Sequence, residues 1–234
     1  MTQYDDKIKD VISFYGDKDN YKEKIVIGRE IVSKIEIDNG SLARELLKEL
    51  TDIEEEKSGK LYGMTAFLSG GIDRCDDDGV GWRRDLRMKC KRKKLPLSFF
   101  DPTDKPKILG SEIGDEKSRI KKLMRKGKWK QTQNEVKTFR RYDLRMVDHS
   151  HLYIIYIDLS IHYCGTWDEF NVAERQNKPI FVIMAPGYSK YDIPSWAVAS
   201  VNEDEVFEGV DECVEHLKLL NEGKMFFDKR WVKI

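Results

Sequence analysis

Residues 152–184 read LYIIYIDLSIHYCGTWDEFNVAERQNKPIFVIM, and this stretch decides the fold class. Two apolar runs of strand-like length, Leu152 to Ile157 and Pro179 to Met184, flank a segment with helical periodicity from Trp167 to Gln176. Two strands joined through a helix run parallel, because a right-handed crossover returns the chain to its starting edge of the sheet. Parallel strands are covered on both faces, which explains why both runs are apolar throughout.

The same alternation of strands and helices continues on either side of this unit. Further strand-like runs are Met64 to Leu68, Leu95 to Phe100 and Ala197 to Val201. Further helical patterns are Trp82 to Lys93, Asn134 to Val147 and Val206 to Leu220. We therefore expect an α/β fold with a doubly wound, mainly parallel sheet of the Rossmann-like or flavodoxin-like kind, with helices on both faces.

Two stretches depart from this alternation. Residues 1–60 show helical periodicity, most clearly from Leu42 to Ile53, but no catalytic pattern. We expect them to form a helical N-terminal extension of an α/β domain that spans residues 61–234. Residues 103–133 lack a strand pattern and are rich in lysine, so we expect a basic loop or lid there.

Composition limits the function classes. The 234 residues include 42 Lys+Arg and 42 Asp+Glu, which gives a formal net charge of zero. A dedicated DNA-binding protein is usually strongly basic, so this balance argues against one, although the charges are segregated along the chain. The longest clean apolar run is far shorter than the roughly 18 residues of a membrane helix. The chain is expected to be a soluble protein with no membrane association.

Cysteine and histidine spacing predicts neither a metal nor a cofactor. The four cysteines are far apart and show no zinc-site spacing, and the N-terminus carries no basic-then-apolar signal. We therefore expect free thiols in a reducing, cytoplasmic compartment. The GxGxxG pattern of a standard Rossmann NAD site is absent.

Candidate site residues follow the first strand, because ligands of such sheets bind at the carboxyl ends of strands near a switch in strand order. Ser69, Gly70, Gly71 and Asp73 form a small-residue turn there. Small residues let a ligand approach the backbone closely and offer N–H groups to an anion. A plain tight turn is the alternative interpretation.

Two carboxylates stand out further along the chain. Asp143 lies on the apolar face of its predicted helix, where it either forms an ion pair, for example with Arg140 or Arg145, or faces a cavity. Glu169 follows Gly165 and Thr166 near a helix start. It either completes a capping box with Thr166 or is a nucleophile kept ionised by the positive end of the helix dipole.

These motifs occur together in one known family. The matching segments are Phe67-Leu68-Ser69-Gly70-Gly71-Ile72, Trp82-Arg83, Asp101-Pro102, Asp143-Leu144, Gly165-Thr166 with Glu169, and Pro194-Ser195-Trp196-Ala197-Val198. Residues 64–201 thereby resemble the nucleoside 2-deoxyribosyltransferase superfamily, which includes nucleoside 5′-monophosphate N-glycosidases. The Asp-then-Gly-x-x-x-Glu order is the specific part of the resemblance.

The resemblance implies residue roles. Glu169 matches the nucleophile that attacks the anomeric carbon, and Asp143 matches the carboxylate that protonates or orients the departing base. Phe67 stands where many members carry a tyrosine, and Tyr163 stands where some transferases carry a sugar-binding aspartate. The remaining candidate substrate-binding residues are Ser69, Gly70, Gly71, Asp73, Trp82, Arg83, Gly165 and Thr166. Independently, cleavage of a glycosidic bond through an oxocarbenium-like state uses two carboxylates in different environments.

Further expectations concern the substrate, the partners and an alternative function. Arg83 or Arg84 could hold a phosphate by a bidentate contact, so a nucleoside or nucleotide is the expected small-molecule substrate, while nucleic acid bound through the basic segments is possible but not favoured. A homo-oligomer is expected, with Asp192 reaching a neighbouring subunit's site as the resemblance implies. The competing hypothesis is a non-catalytic nucleotide-binding sensor or interaction module on the same fold.

Overall fold

The computed structural model describes residues 59–227, and five strands within that range form a single parallel sheet. They are β1 (Met64–Gly70), β2 (Leu97–Phe100), β3 (Leu152–Ile157), β4 (Ile180–Met184) and β5 (Val206–Phe207), in the order β2-β1-β3-β4-β5. The expected fold class is confirmed. The helix expected from Leu42 to Ile53, and with it almost all of the expected N-terminal extension, lies outside the described residues.

Helices flank the sheet. Their bounds are α1 (Val80–Arg92), α2 (Gly114–Arg125), α3 (Trp129–His149), α4 (Gly165–Arg175), α5 (Ser195–Val198) and α6 (Val210–Asn221). Helix α1 packs on α6, while α3 packs against both α2 and α4. Between residues 59 and 227, no helix is long and apolar enough to cross a bilayer.

The central strands form the core. Every residue of β4 is buried, and in β3 only Tyr156 retains partial exposure. The core cluster contains Phe67 of β1 and Phe170 of α4 among its members. Burial on both faces of the sheet explains the uninterrupted apolar runs of β3 and β4.

The strand order positions the candidate site. Strand β1 pairs with β2 on one side and with β3 on the other, with Phe67 opposite both Phe100 and Tyr153. The chain leaves β1 toward β2, whereas it leaves β3 in the opposite direction toward β4. Ligands of doubly wound sheets bind in the crevice that this reversal opens at the carboxyl ends of the two strands.

The expectation of a basic loop at residues 103–133 is wrong in its local structure. Two short 3₁₀ turns, Pro102–Asp104 and Lys107–Leu109, lead into α2, and α3 already begins at Trp129. Helix α2 buries only one residue, Ile120, so the apolar periodicity that normally indicates a helix is weak. Acidic residues in its first turn and basic residues in its last turn favour the helix electrostatically.

The strand expected from Ala197 to Val201 is also wrong. Residues Ser195–Val198 form the short helix α5, and the fifth strand is β5, Val206–Phe207. Pro194 is the N-cap residue of α5, and its ring fixes φ at −54° directly ahead of the helix. A strand of two residues is too short to produce a recognisable pattern.

Candidate active site

Ser69 and Glu169 join the two sides of the crevice. Ser69 is fully buried at the end of β1, and its hydroxyl donates a hydrogen bond of 2.5 Å to Oε2 of Glu169. Glu169 belongs to α4, the helix that follows β3. The carboxyl group therefore lies at the switch in strand order, where a ligand of this fold is expected.

The start of α4 differs from the capping-box expectation. The helix begins at Gly165 with Cys164 as its N-cap residue, and no side chain caps it. Thr166 is therefore a buried residue inside the first turn, and Glu169 lies one position beyond that turn. Since Glu169 does not satisfy the helix N-terminus, its carboxyl group is available to the crevice.

Burial controls the ionisation of Glu169. The pKa of its carboxyl group is raised to about 8, chiefly by loss of hydration. The negative charges of Asp143 and Glu112 also raise this pKa, while the hydrogen bond from Ser69 and the positive charge of Arg83 partly offset the rise. Burial therefore opposes the effect predicted for the helix dipole, because it favours the protonated form of Glu169.

Asp143 is paired with a lysine that sequence reasoning did not single out. Its side chain and that of Lys105 are 5% and 3% exposed, and the two form an ion pair and hydrogen bond. Neither expected partner is used, because Arg140 pairs with Asp168 and Arg145 lies near Asp148. Burial raises the pKa of Asp143, and Lys105 opposes that rise.

Glu112 is a third carboxylate that sequence reasoning missed. It lies two residues ahead of α2, inside the stretch expected to be a loop, and no local pattern distinguishes it from Asp115 or Glu116. Burial raises the pKa of Glu112 to about 7; Asp143 raises it further, and Lys105 and Arg83 lower it. Three carboxyl groups thus influence one another's protonation across the crevice.

Two cavities meet at these carboxylates. The loop cavity, of about 210 Å³, is lined by Gly70, Gly71, Tyr163 and Thr166, among others. The helix cavity, of about 740 Å³, lies along α2 and α3 and is lined by Asp143 and by the apolar residues Ile120, Met124, Val136, Phe139 and Leu144. Both cavities share Asp73, Glu112, Cys164, Gly165 and Glu169.

Arg83 supports the loop and is not a free phosphate ligand. Its fully buried guanidinium donates to the carbonyl oxygens of Gly79, Gly70 and Leu68 at 2.7, 3.0 and 3.3 Å. It also lies 3.6 Å from Asp101. A Cβ atom at Gly79, where φ is +69°, would lie 2.1 Å from the Gly71 carbonyl oxygen, so this contact requires glycine. The expected phosphate role of Arg83 is not supported.

Three further candidate residues lie away from these cavities. Phe67 is fully buried and stacks on Tyr153 at 5.9 Å between ring centroids. Trp82 stacks on Tyr156 at 5.0 Å between ring centroids, beside a third cavity of about 460 Å³ that shares Gly71 and Tyr163 with the loop cavity. Asp192 is exposed and accepts hydrogen bonds from the N–H and hydroxyl of Ser189, so within this chain it caps its own 3₁₀ turn.

Tyr153 supplies a hydroxyl close to the place where Phe67 lacks one. The two residues are register partners on β3 and β1. The Tyr153 hydroxyl donates to the Thr166 carbonyl oxygen at 3.1 Å, and the Ser69 side chain lies close enough to influence its pKa. Burial raises the pKa of Tyr153 well above its ordinary value, so this hydroxyl keeps its proton.

Potential metal ligands and comparisons with known proteins complete the description of the site. In the part of the chain that the structure describes, no group of three His, Cys, Asp or Glu residues could hold a metal ion. Comparison of the chain with protein-family models and with curated protein sequences finds no match. The functional argument therefore depends on the site itself.

Proposed function

We propose that the protein is an enzyme that cleaves or exchanges the N-glycosidic bond of (deoxy)nucleosides or (deoxy)nucleotides through a covalent glycosyl-Glu169 intermediate. The observation that carries the proposal is the Glu169 carboxyl group, held by Ser69 at the switch in strand order, with Glu112 and Asp143 lining the same crevice. The resemblance of residues 64–201 to the nucleoside 2-deoxyribosyltransferase superfamily supports the same chemistry.

The reaction would proceed in two displacements. Ionised Glu169 attacks the anomeric carbon while the C–N bond breaks, and the departing base receives a proton from a neighbouring carboxylic acid. Water, or a second free base, then attacks the glycosyl ester and releases Glu169. The Ser69 hydroxyl orients Oε2, which leaves Oε1 to form the covalent bond.

We assign the proton to Glu112 and the orientation of the base to Asp143. Asp143 already shares a hydrogen bond with Lys105, which favours its ionised form. Glu112 makes no ion pair within residues 59–227, and its pKa of about 7 places its titration close to neutral pH, where a general acid works best.

The shapes of the cavities suggest how a substrate would divide between them. The loop cavity, about 210 Å³ and rich in glycine, suits a pentose held close to the backbone. The helix cavity, about 740 Å³ with apolar walls from α2 and α3, suits a planar base. Glu169 lines both, which is where the bond between sugar and base would lie.

The test is base release from deoxynucleosides and deoxynucleotides, followed by chromatography with and without a second free base. Glu169→Gln should reduce turnover by roughly 10³-fold or more while circular dichroism stays unchanged. Glu174→Gln, an exposed carboxylate on the same helix, is the matched control. Mass spectrometry of wild-type protein trapped with substrate should place the added sugar on the peptide that contains Glu169. Full activity of Glu169→Gln would refute the nucleophile assignment.

A non-catalytic nucleotide-binding module is the second candidate. The pKa of about 8 at Glu169 favours it, because a protonated carboxyl group donates a hydrogen bond and does not attack carbon. Under this alternative, calorimetry would detect nucleotide binding, yet no base would be released even at pH 9, where Glu169 is ionised.

We also propose a homo-oligomer in the cytoplasm. Trp196, Tyr191 and Val198 are 85%, 76% and 54% exposed, and a second copy that covers them would bury aromatic residues typical of interface cores. All four cysteines are free thiols, as in most proteins of reducing compartments. Sedimentation at micromolar concentration should give at least a dimer that Trp196→Ala weakens; a monomer would refute the proposal.

A further inference from the structure

The α2–α3 hairpin ends in a positively charged tip, which we define as residues 122–131. From Lys117 to Lys130 the chain has eight basic residues and no acidic one, although the whole protein has zero formal net charge. Five cations of the tip are exposed and make no ion pair with any residue between 59 and 227: Lys122, Arg125, Lys126, Lys128 and Lys130.

Several cations closer to the sheet form ion pairs, in contrast to those of the tip. Lys117 pairs with Asp78 at 2.5 Å, and Lys121 lies 3.1 Å from Asp73. Arg140 pairs with Asp168 at 2.6 Å. Five of the hairpin's exposed cations without an ion pair therefore cluster at its outer end, and two more, Lys137 and Arg141, lie further along α3.

An aromatic side chain is exposed among these cations. Trp129, the first residue of α3, is 71% exposed, and neighbouring Met124 is 52% exposed. Exposed large apolar groups within a charged surface often mark an interaction site. An indole ring can stack on a nucleobase, while lysine and arginine side chains neutralise the adjoining phosphates.

The turn that presents these groups is held by backbone hydrogen bonds. Gly127 adopts φ +67°, and the N–H groups of Lys126, Gly127 and Lys128 donate to the carbonyls that end α2 at 3.1, 3.0 and 3.0 Å. Arg119 and Glu135 connect the two helices through an ion pair of 2.6 Å. A preorganised surface loses less conformational entropy when a ligand binds.

We infer that the hairpin tip binds single-stranded nucleic acid. A single strand offers both closely spaced phosphates and unpaired base faces, which match the five cations and Trp129. A duplex hides its base faces inside the stack, and an acidic polypeptide offers charge without a π-face for the indole.

The tip is continuous with the proposed catalytic site. Met124 belongs to the tip and also lines the helix cavity, whose lining includes Glu169 as well. A strand bound at the tip could therefore place a terminal or unstacked nucleotide in that cavity, which makes a polynucleotide the substrate class. This second step rests on the proposed function, whereas binding at the tip does not.

The test is fluorescence anisotropy of a labelled oligothymidylate with the full chain across a range of salt concentrations. Five phosphate contacts predict a slope of about −3.5 when the logarithm of the binding constant is plotted against the logarithm of the salt concentration.

Lys126→Gln/Lys128→Gln/Lys130→Gln should reduce the magnitude of that slope by about 2 and weaken binding at least tenfold. Lys91→Gln/Arg92→Gln/Arg175→Gln removes three exposed cations outside the tip that make no ion pair within residues 59–227, and this control variant should bind as the wild type does. Trp129→Ala should weaken binding roughly tenfold, and Trp129→Phe should retain most of the affinity.

Several outcomes would overturn the inference. They are equal weakening by the triple control variant, unchanged affinity of Trp129→Ala, equally tight binding of a duplex of the same length, and equally effective displacement of the strand by polyglutamate. Binding assays on Glu169→Gln separate the two proposals. Strand binding without base release from any substrate would refute only the proposed function, while base release from nucleosides without strand binding would refute only this inference.

Discussion

At the scale of single residues, the sequence led to Ser69, Asp143 and Glu169, and the fold brings all three to one crevice. It did not lead to Lys105 or Glu112. Those two residues act through burial and neighbouring charge, which depend on the tertiary arrangement and leave no local pattern in a stretch dominated by lysine. Residues that carry a motif were therefore predictable, and residues that tune their protonation were not.

The phenylalanine at position 67 illustrates the same limit. A residue-by-residue comparison with the superfamily shows only that a tyrosine hydroxyl is missing at this position. The parallel register places Tyr153 opposite Phe67, and its hydroxyl lies close enough to Ser69 for the two side chains to interact. A neighbouring strand can supply a hydroxyl group that the first strand lacks, because partners in register are adjacent in space although distant in sequence.

The first prediction at this scale concerns the pH dependence of catalysis. In the proposed reaction the reactive form would carry Glu169 ionised and Glu112 protonated, and their pKa values are about 8 and about 7. We expect a bell-shaped profile of kcat/KM with its maximum between these values, as a property of the coupled pair. Glu112→Gln should lower kcat roughly 10²- to 10⁴-fold and remove the alkaline decline, because the residual rate then follows Glu169 ionisation alone.

A substrate whose base leaves without a proton provides the control. With 7-methyl-2′-deoxyguanosine, which carries a cationic base, the loss caused by Glu112→Gln should nearly disappear. Asp115→Asn, an exposed carboxylate in the first turn of α2, should leave both profiles unchanged. Equal losses of Glu112→Gln on both substrates would show that Glu112 is not the general acid.

At the scale of helices and strands, the sequence predicted the deeply buried elements better than the exposed or short ones. Strands β3 and β4 are enclosed on both faces, and their apolar runs match their observed bounds to within a residue. Helix α2 buries only Ile120, and β5 has two residues, so neither produced a recognisable pattern. The start of α4 was misplaced because Thr166 and Glu169 match a capping box, whereas packing buries Thr166 inside the helix.

At the scale of the whole molecule, the proposed catalytic arrangement and folding stability oppose each other. Three carboxyl groups and Lys105 are withdrawn from water around one crevice, and such groups are costly to bury in their charged forms. A fold selected only for stability would place apolar residues there. The energetic cost should therefore be measurable as a dependence of unfolding on pH.

The last prediction concerns that dependence. The pKa of Glu169 is about 8 in the folded protein, against an ordinary value of 4.5. Because the folded-state value is raised, the contribution of Glu169 to stability is fully present below about pH 4.5 and is lost as pH rises through about 8. Glu169→Gln keeps a neutral group at every pH, so its stability relative to wild type should increase by roughly 2 kcal/mol or more between pH 5 and pH 9. Urea unfolding at both pH values measures this difference, and Glu174→Gln should show no such change. A difference in unfolding free energy between wild type and Glu169→Gln that is the same at both pH values would mean that Glu169 is hydrated and ionised in the fold. The reason for an alkaline optimum of activity would then also be removed.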